Sequence, residues 1–179
     1  ACGARAIFEA GDLFGDRAIE AVIIALPNDA HHDAAMEALA AGKHVFCEKP
    51  LTTSAADSLA LARKARETGR VFQMGYMKRF NPAFAAVKAR LEQIAPLTTA
   101  SLRLTVSGDP KLEGDPGTPG SWHADIQRSG GGFLVHSGSH LLDLMMFYFG
   151  RPEAVWGSLK RDVNGNEYSN SFLFRFDGG

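Results

Sequence analysis

The feature that most constrains the fold is a repeated spacing of short apolar runs and helical segments in the first 75 residues. Residues 21–26 read Ala-Val-Ile-Ile-Ala-Leu, the continuous apolar run of a parallel strand covered on both faces. Pro27 stops it. Asn28 or Asp29 suits the N-cap of a helix over 30–41, where Met36, Leu39 and Ala40 recur at helical spacing before Gly42. Val45, Phe46 and Cys47 make a second run. Thr52, Thr53 or Ser54 caps a second helix over 55–67, Gly69 ends it, and 71–74 is a third run. Strand, helix, strand, helix, strand at these distances predicts a parallel sheet with right-handed crossovers. Ahead of it, 4–8 is a strand candidate and 10–15 a brief helical or turn segment.

After Gly75 the texture changes. Asn81-Pro82 opens a helix to about residue 94, with Asn81 as cap and Pro82 in the first helical position. Residues 97–106 alternate Leu102, Leu104 and Val106 with Ser101, Arg103 and Thr105, the pattern of a strand with one wet face. Residues 107–121 are rich in Gly and Pro and read as a long loop. A mostly apolar helix is expected over 132–149. Strands follow over 153–160 and 167–176, joined by a turn at Asn164-Gly165. The chain therefore divides into an α/β part, 1–75, and an α+β part, 76–179, and ligands favour such junctions.

Charge and composition exclude several functions. The formal net charge is -1, so the basic footprint of a nucleic-acid binder is absent. The longest apolar run, 133–149, carries His136, His140 and Asp143 and is too short and too polar for a membrane span. Cys2 and Cys47 cannot build a disulfide framework, which fits a reducing, cytoplasmic setting. The chain starts without Met and stops at Gly178-Gly179 directly after a strand pattern, so the middle of a longer protein is expected.

Two groups of residues could carry chemistry. Glu48 and Lys49 end the second apolar run, and Pro50 stiffens the backbone behind them. Leu26-Pro27-Asn28 ends the first run on the same edge of the sheet, the edge where open parallel sheets bind ligands. Either end alone reads as an ordinary turn; together they make a site. On the later helix, His136 and His140 stand at i and i+4 with Asp143 three residues on, so one face carries all three. That spacing could hold a metal, although Ser137 replaces the glutamate of H-E-x-x-H. Tyr76-Met77-Lys78-Arg79-Phe80 places two cations just past the boundary, and Trp122-His123 follows the long loop. His31 opens a helix, where capping is the simplest role.

These stretches resemble the Gfo/Idh/MocA oxidoreductases, whose namesakes are glucose-fructose oxidoreductase and inositol dehydrogenase. The resemblance rests on 21–31, on 41–50 ending Cys47-Glu48-Lys49-Pro50, on 75–82, and on Gly130-Gly131-Gly132 through Gly138-Ser139-His140-Leu141-Leu142-Asp143, in that order. It implies the C-terminal part of a Rossmann-type parallel-sheet domain followed by an α+β domain with an open, mainly antiparallel sheet. It implies NAD or NADP as cofactor and hydride transfer at a hydroxyl-bearing carbon of a sugar or cyclitol. By the same resemblance Lys49 contacts substrate and nicotinamide ribose, Glu48 lies near the cofactor, the Lys49-Pro50 peptide is cis, and His140 is the acid/base partner. The expected cofactor set is Leu26, Pro27, Asn28, His31, Glu48 and Lys49. The expected substrate set is Lys49, Tyr76, Arg79, His123, His136 and His140. Homo-oligomerisation through the open sheet face is implied, with no nucleic acid, membrane or metal partner.

Three departures stand out. The chain has no G-x-G-x-x-G turn to cradle a pyrophosphate. His136 replaces the family's usual aspartate four residues before the histidine, and His123 replaces an arginine after the tryptophan. The first leaves NAD and NADP undecided. The other two leave the substrate open, and the second motivates the alternative of a non-catalytic NAD(P)-binding sensor of the same fold and predicts that His140 titrates lower than beside an aspartate.

Overall fold

The computed structural model describes residues 3–91, 93–94, 96–104, 121–123 and 125–176. The chain forms two compact units, 1–75 and 76–179.

The first unit begins with helix α1 (Ala10–Gly15) and holds a three-stranded parallel sheet in the order β1 (Ala21–Ile24), β2 (His44–Cys47), β3 (Phe72–Met74). Ala21 pairs with His44 and Ile24 with Cys47, and Cys47 pairs in turn with Met74, so the three strands end together. Helices α2 (His31–Ala40) and α3 (Ala55–Thr68) connect them. Strand side chains alternate between faces. Val22, Ile24, Val45 and Cys47 are buried with Leu39 of α2 and Leu61 of α3 in one core. Ile23 and Phe46 point the other way and stay 77% and 38% exposed. The apolar run of β1 is therefore covered on one face only, because α1, α2 and α3 all join the same core.

Local chemistry fixes the connections. Ser54 Oγ accepts from the amide of Asp57 (3.2 Å) and caps α3, and Gly69 ends that helix in the left-handed region. The start of α2 departs from expectation. Asn28–Ala30 forms a 3-10 turn, and Ala30 is the N-cap, without a side-chain hydrogen bond. Lys43, buried at the start of β2, donates from Nζ to the carbonyls of Asp16 (2.7 Å) and Ile19 (2.8 Å) and so ties down the chain leading into β1. Lys43→Met would strand both carbonyls. Stability should fall by about 2 kcal/mol, read as a lower urea midpoint. An unchanged midpoint would show that water replaces the ammonium.

The second unit opens with a 3-10 turn (Met77–Phe80) and α4 (Pro82–Leu91), where Asn81 Oδ1 accepts from the amide of Ala83 (2.9 Å). A short α5 (Ile126–Ser129) is capped by Asp125, and the glycine triplet follows. The next helix is not uniform: Leu134–Gly138 is a π turn, continued by α6 (Ser139–Phe149). Strands β4 (Ala154–Arg161) and β5 (Glu167–Arg175) form an antiparallel hairpin. Asp162 organises its turn, accepting at Oδ1 from the amides of Asn164 and Asn166 (2.9 Å each).

Two expected strands do not form. Residues 4–8 and 97–104 run as irregular backbone. Alternation chooses a face but supplies no partner for the ladder, and the strands described here pair only within β1–β2–β3 and β4–β5. Residues 105–120, which take in the end of the second of these strands and nearly all of the expected loop, lie outside the described residues. No helix among the described residues is long and apolar enough to cross a membrane.

Candidate active site

In the first unit the carboxyl ends of β1 and β2 are bound together by one side chain. His31 is fully buried. Its Nδ1 lies 2.8 Å from the carbonyl of Pro50 and its Nε2 lies 2.9 Å from the carbonyl of Leu26. Both acceptors are carbonyl oxygens. A neutral imidazole has a single N–H to offer them, whereas an imidazolium satisfies both. His31 thus acts on the two loops rather than on solvent-facing groups. Leu26 is 46% exposed at this edge, and Asn28 is buried.

Glu48 and Lys49 follow β2, half-buried, and the Lys49-Pro50 peptide is cis. The Glu48 carboxylate occupies space that a side chain at 75 would fill: a Cβ on Gly75 would stand 2.9 Å from Glu48 Oε2. Gly75 in turn donates its amide to the carbonyl of Cys47 (2.8 Å), which draws the end of β3 against the end of β2. Burial pushes the pKa of Lys49 down, and the Glu48 charge opposes that shift. Burial, with a smaller push from Glu48, raises the Cys47 thiol to about 12, so it stays protonated and is no nucleophile. Glu48→Gln would remove the charge that holds the Lys49 ammonium. The alkaline limb of kcat/KM in the full-length protein should then move to lower pH, as a pH–rate profile would read. A limb that stays in place would dissociate it from Lys49.

In the second unit the helix of 133–149 presents three polar side chains, each with its own partner. His136 lies against His123 (centroids 4.7 Å apart), which is stacked on Trp122 at 3.7 Å. Ser121 Oγ and His123 Nδ1 are 3.0 Å apart. His140 meets the ring of Tyr76 edge-on at 6.1 Å. Asp143, 8% exposed, receives the fork of Arg79: Nε to Oδ2 at 2.8 Å and Nη2 to Oδ1 at 2.6 Å. That hydrogen bond holds the Arg79 pKa up. Burial and the Asp143 charge raise the Tyr76 hydroxyl, with Arg79 opposing.

The expected residues thus fall into two groups within their units: Leu26, Asn28, His31, Glu48 and Lys49 at one strand edge, and Tyr76, Arg79, His123, His136 and His140 around one helix. Pro27 precedes the 3-10 turn of the first group. Asp143, weighed as a third metal ligand, is taken up by Arg79 on both oxygens. Among the described residues no group of three or more His, Cys, Asp or Glu is arranged to hold a metal ion. Two contacts escaped the sequence reading. The Arg79–Asp143 pair spans 64 residues, beyond any local pattern. Glu167, buried against the glycine triplet, looks in sequence like the first residue of an ordinary strand.

A parallel sheet with polar groups gathered at its carboxyl edge is the arrangement in which open α/β sheets bind ligands. Comparison with known proteins gives the family. Residues 2–76 match the model described as "Oxidoreductase family, NAD-binding Rossmann fold", and residues 92–179 match the "GFO/IDH/MocA C-terminal domain". The chain belongs to the Gfo/Idh/MocA family. It is 43% identical to scyllo-inositol 2-dehydrogenase (NAD(+)) of Bacillus subtilis (strain 168) over 81 residues, 45% of this chain and 24% of that one. It is 32% identical to levoglucosan dehydrogenase of Pseudarthrobacter phenanthrenivorans over 143 residues, 80% of this chain and 36% of that one. A solved levoglucosan dehydrogenase in complex with NADH and levoglucosan superposes with a TM-score of 0.81 at 28% identity, covering 94% of this chain and 47% of the other. An oxidoreductase domain protein from Kribbella flavida gives 0.82 at 30% identity, covering 96% and 49%. The chain therefore spans about half the length of these structures and 24–36% of the two curated relatives.

Proposed function

We propose that the full-length protein is an NAD(P)-dependent dehydrogenase or reductase acting at a hydroxyl-bearing carbon of a sugar, cyclitol or related polyol. The observation that carries this reading is Lys49: a half-buried cation at the carboxyl end of a parallel strand, its pKa lowered by burial and its charge held by Glu48. The inositol and levoglucosan dehydrogenases among its relatives support the substrate class.

The described residues fit the nicotinamide end of a dinucleotide. Leu26 offers an exposed apolar surface at the strand edge, and Lys49 and Glu48 offer polar groups beside it. The glycine turn that cradles a pyrophosphate is not in this chain. When bound, the nicotinamide supplies the two-electron acceptor for the carbinol carbon. The protein's own groups handle the oxygen and its proton. Lys49 holds the substrate oxygen and stabilises the negative charge that grows on it. His140 takes the hydroxyl proton during oxidation and returns it during reduction. Tyr76, Arg79, His123 and His136 orient the remaining hydroxyls.

Cys47 is a buried free thiol, compatible with the cytoplasm. The apolar side chains that β4 and β5 leave exposed, Val155, Trp156 and Leu173, support homo-oligomerisation through that sheet. The test of the activity is direct: full-length protein, NAD or NADP, and a panel of cyclitols and anhydro sugars including inositol and levoglucosan, followed by dinucleotide absorbance. Steady reduction with at least one of them is expected. Tight dinucleotide binding without turnover across the panel would overturn the reading in favour of a non-catalytic sensor.

A further inference from the structure

Glu167 is 4% exposed, and its carboxylate lies at the start of the helix that carries His136 and His140. Oε2 accepts from the amide of Gly132 at 2.9 Å and Oε1 from the amide of Val135 at 3.3 Å. These amides belong to the first turn, where no intrahelical acceptor is available and the helix dipole favours negative charge. Arg161 Nη1 stands 4.0 Å from Oε2 and completes the setting of the buried charge. The glycine triplet is shaped around this contact. A Cβ on Gly132 would lie 2.5 Å from the Glu167 carbonyl oxygen. A Cβ on Gly131, whose φ is +156°, would lie 2.5 Å from Val135 Cγ2 and 2.9 Å from Glu167 Oε1. One carboxylate therefore grips the backbone on both sides of the entry to the π turn Leu134–Gly138.

We propose that Glu167 is a positioning residue: by fixing Gly132 and Val135 it sets the rotation and register of the π turn, and with them the aim of the His136 and His140 rings, without touching substrate. The assignment rests on the oxidoreductase reading only for its kinetic consequence. Glu167→Gln keeps the shape but replaces two charge-assisted bonds with one neutral acceptor and one misplaced donor. Glu167→Asp keeps the charge on a shorter arm.

The experiment combines histidine-ring and amide NMR of the folded variants with steady-state kinetics of the full-length protein on inositol and levoglucosan. In Glu167→Gln the Gly132 and Val135 amides and the His136 and His140 ring resonances should shift, while the rings of His31 and His44 in the other unit stay in place. On whichever polyol is turned over, kcat should fall on the order of tenfold to a hundredfold at a nearly unchanged KM for dinucleotide, with partial rescue in Glu167→Asp. Unmoved His136 and His140 rings in folded Glu167→Gln would overturn the proposal, whatever the activity. Failure of both variants to fold would also overturn it, by making Glu167 a residue of stability alone. If the wild-type protein turns over neither polyol, the activity reading loses support, and the ring shifts alone still decide the role of Glu167.

Discussion

On the proposed reading, Lys49→Ala should lower kcat of the full-length protein by about a hundredfold or more, the loss expected when one preorganised donor to a developing oxyanion is removed. The size follows from the setting. Lys49 is half-buried, and its ammonium is desolvated enough for burial to lower its pKa. A charge in such a place would act on a bound oxygen with less screening than water imposes. Lys49→Arg is expected to recover little, because a planar fork does not reproduce a compact point charge at the same spot. Steady-state kinetics at saturating dinucleotide read the effect. Turnover near wild type in Lys49→Ala would take the residue out of the mechanism.

His31→Ala should be the most destabilising of these substitutions, by roughly 3–4 kcal/mol. It deletes a fully buried ring, leaves a void, and strands the carbonyls of Leu26 and Pro50. Those carbonyls close β1 and β2 at the edge that carries Leu26, Glu48 and Lys49, so the same change should raise KM for dinucleotide. His31→Gln keeps an amide NH2 that can reach one of the two carbonyls and should recover part of the stability. Chemical denaturation of the three proteins checks the order. Equal midpoints for wild type and alanine would show that the two loops hold each other without the ring.

The elements that could be read from sequence are those specified by neighbours in the chain. Strands β1 to β3, helices α2 and α3, a cap for α3 within 52–54 and the hairpin between β4 and β5 all follow from periodicity and end signals within a few residues. Residues 97–104 failed because alternation says nothing about a partner strand, and Ile23 surfaced because an apolar run says nothing about how many helical layers cover it. In the site, Glu48 and Lys49 were legible as a strand end. His31 was named there only through the family resemblance, and its bridge was not legible: at a helix start it resembles a cap, and only the fold brings Leu26 and Pro50 to its two nitrogens. The Arg79 fork on Asp143 and the Glu167 grip on Gly132 join residues 64 and 35 apart, and neither distance leaves a local trace.

The π turn has a consequence for how this region can change in length. A π turn is an α-helix that carries one extra residue. Loss of a single residue from Leu134–Gly138 would let the helix run on with ordinary pitch. The wider turn absorbs that residue: its five residues cover about the same rotation as four residues at roughly 100° each. His140 and Asp143 beyond it would keep their face, and with it the ring of Tyr76 and the fork of Arg79. Only the turn itself, His136 included, would repack. Insertions and deletions are usually tolerated in loops and ruinous in helices. Here one helical turn can change length by a residue while the helix beyond it stays in phase.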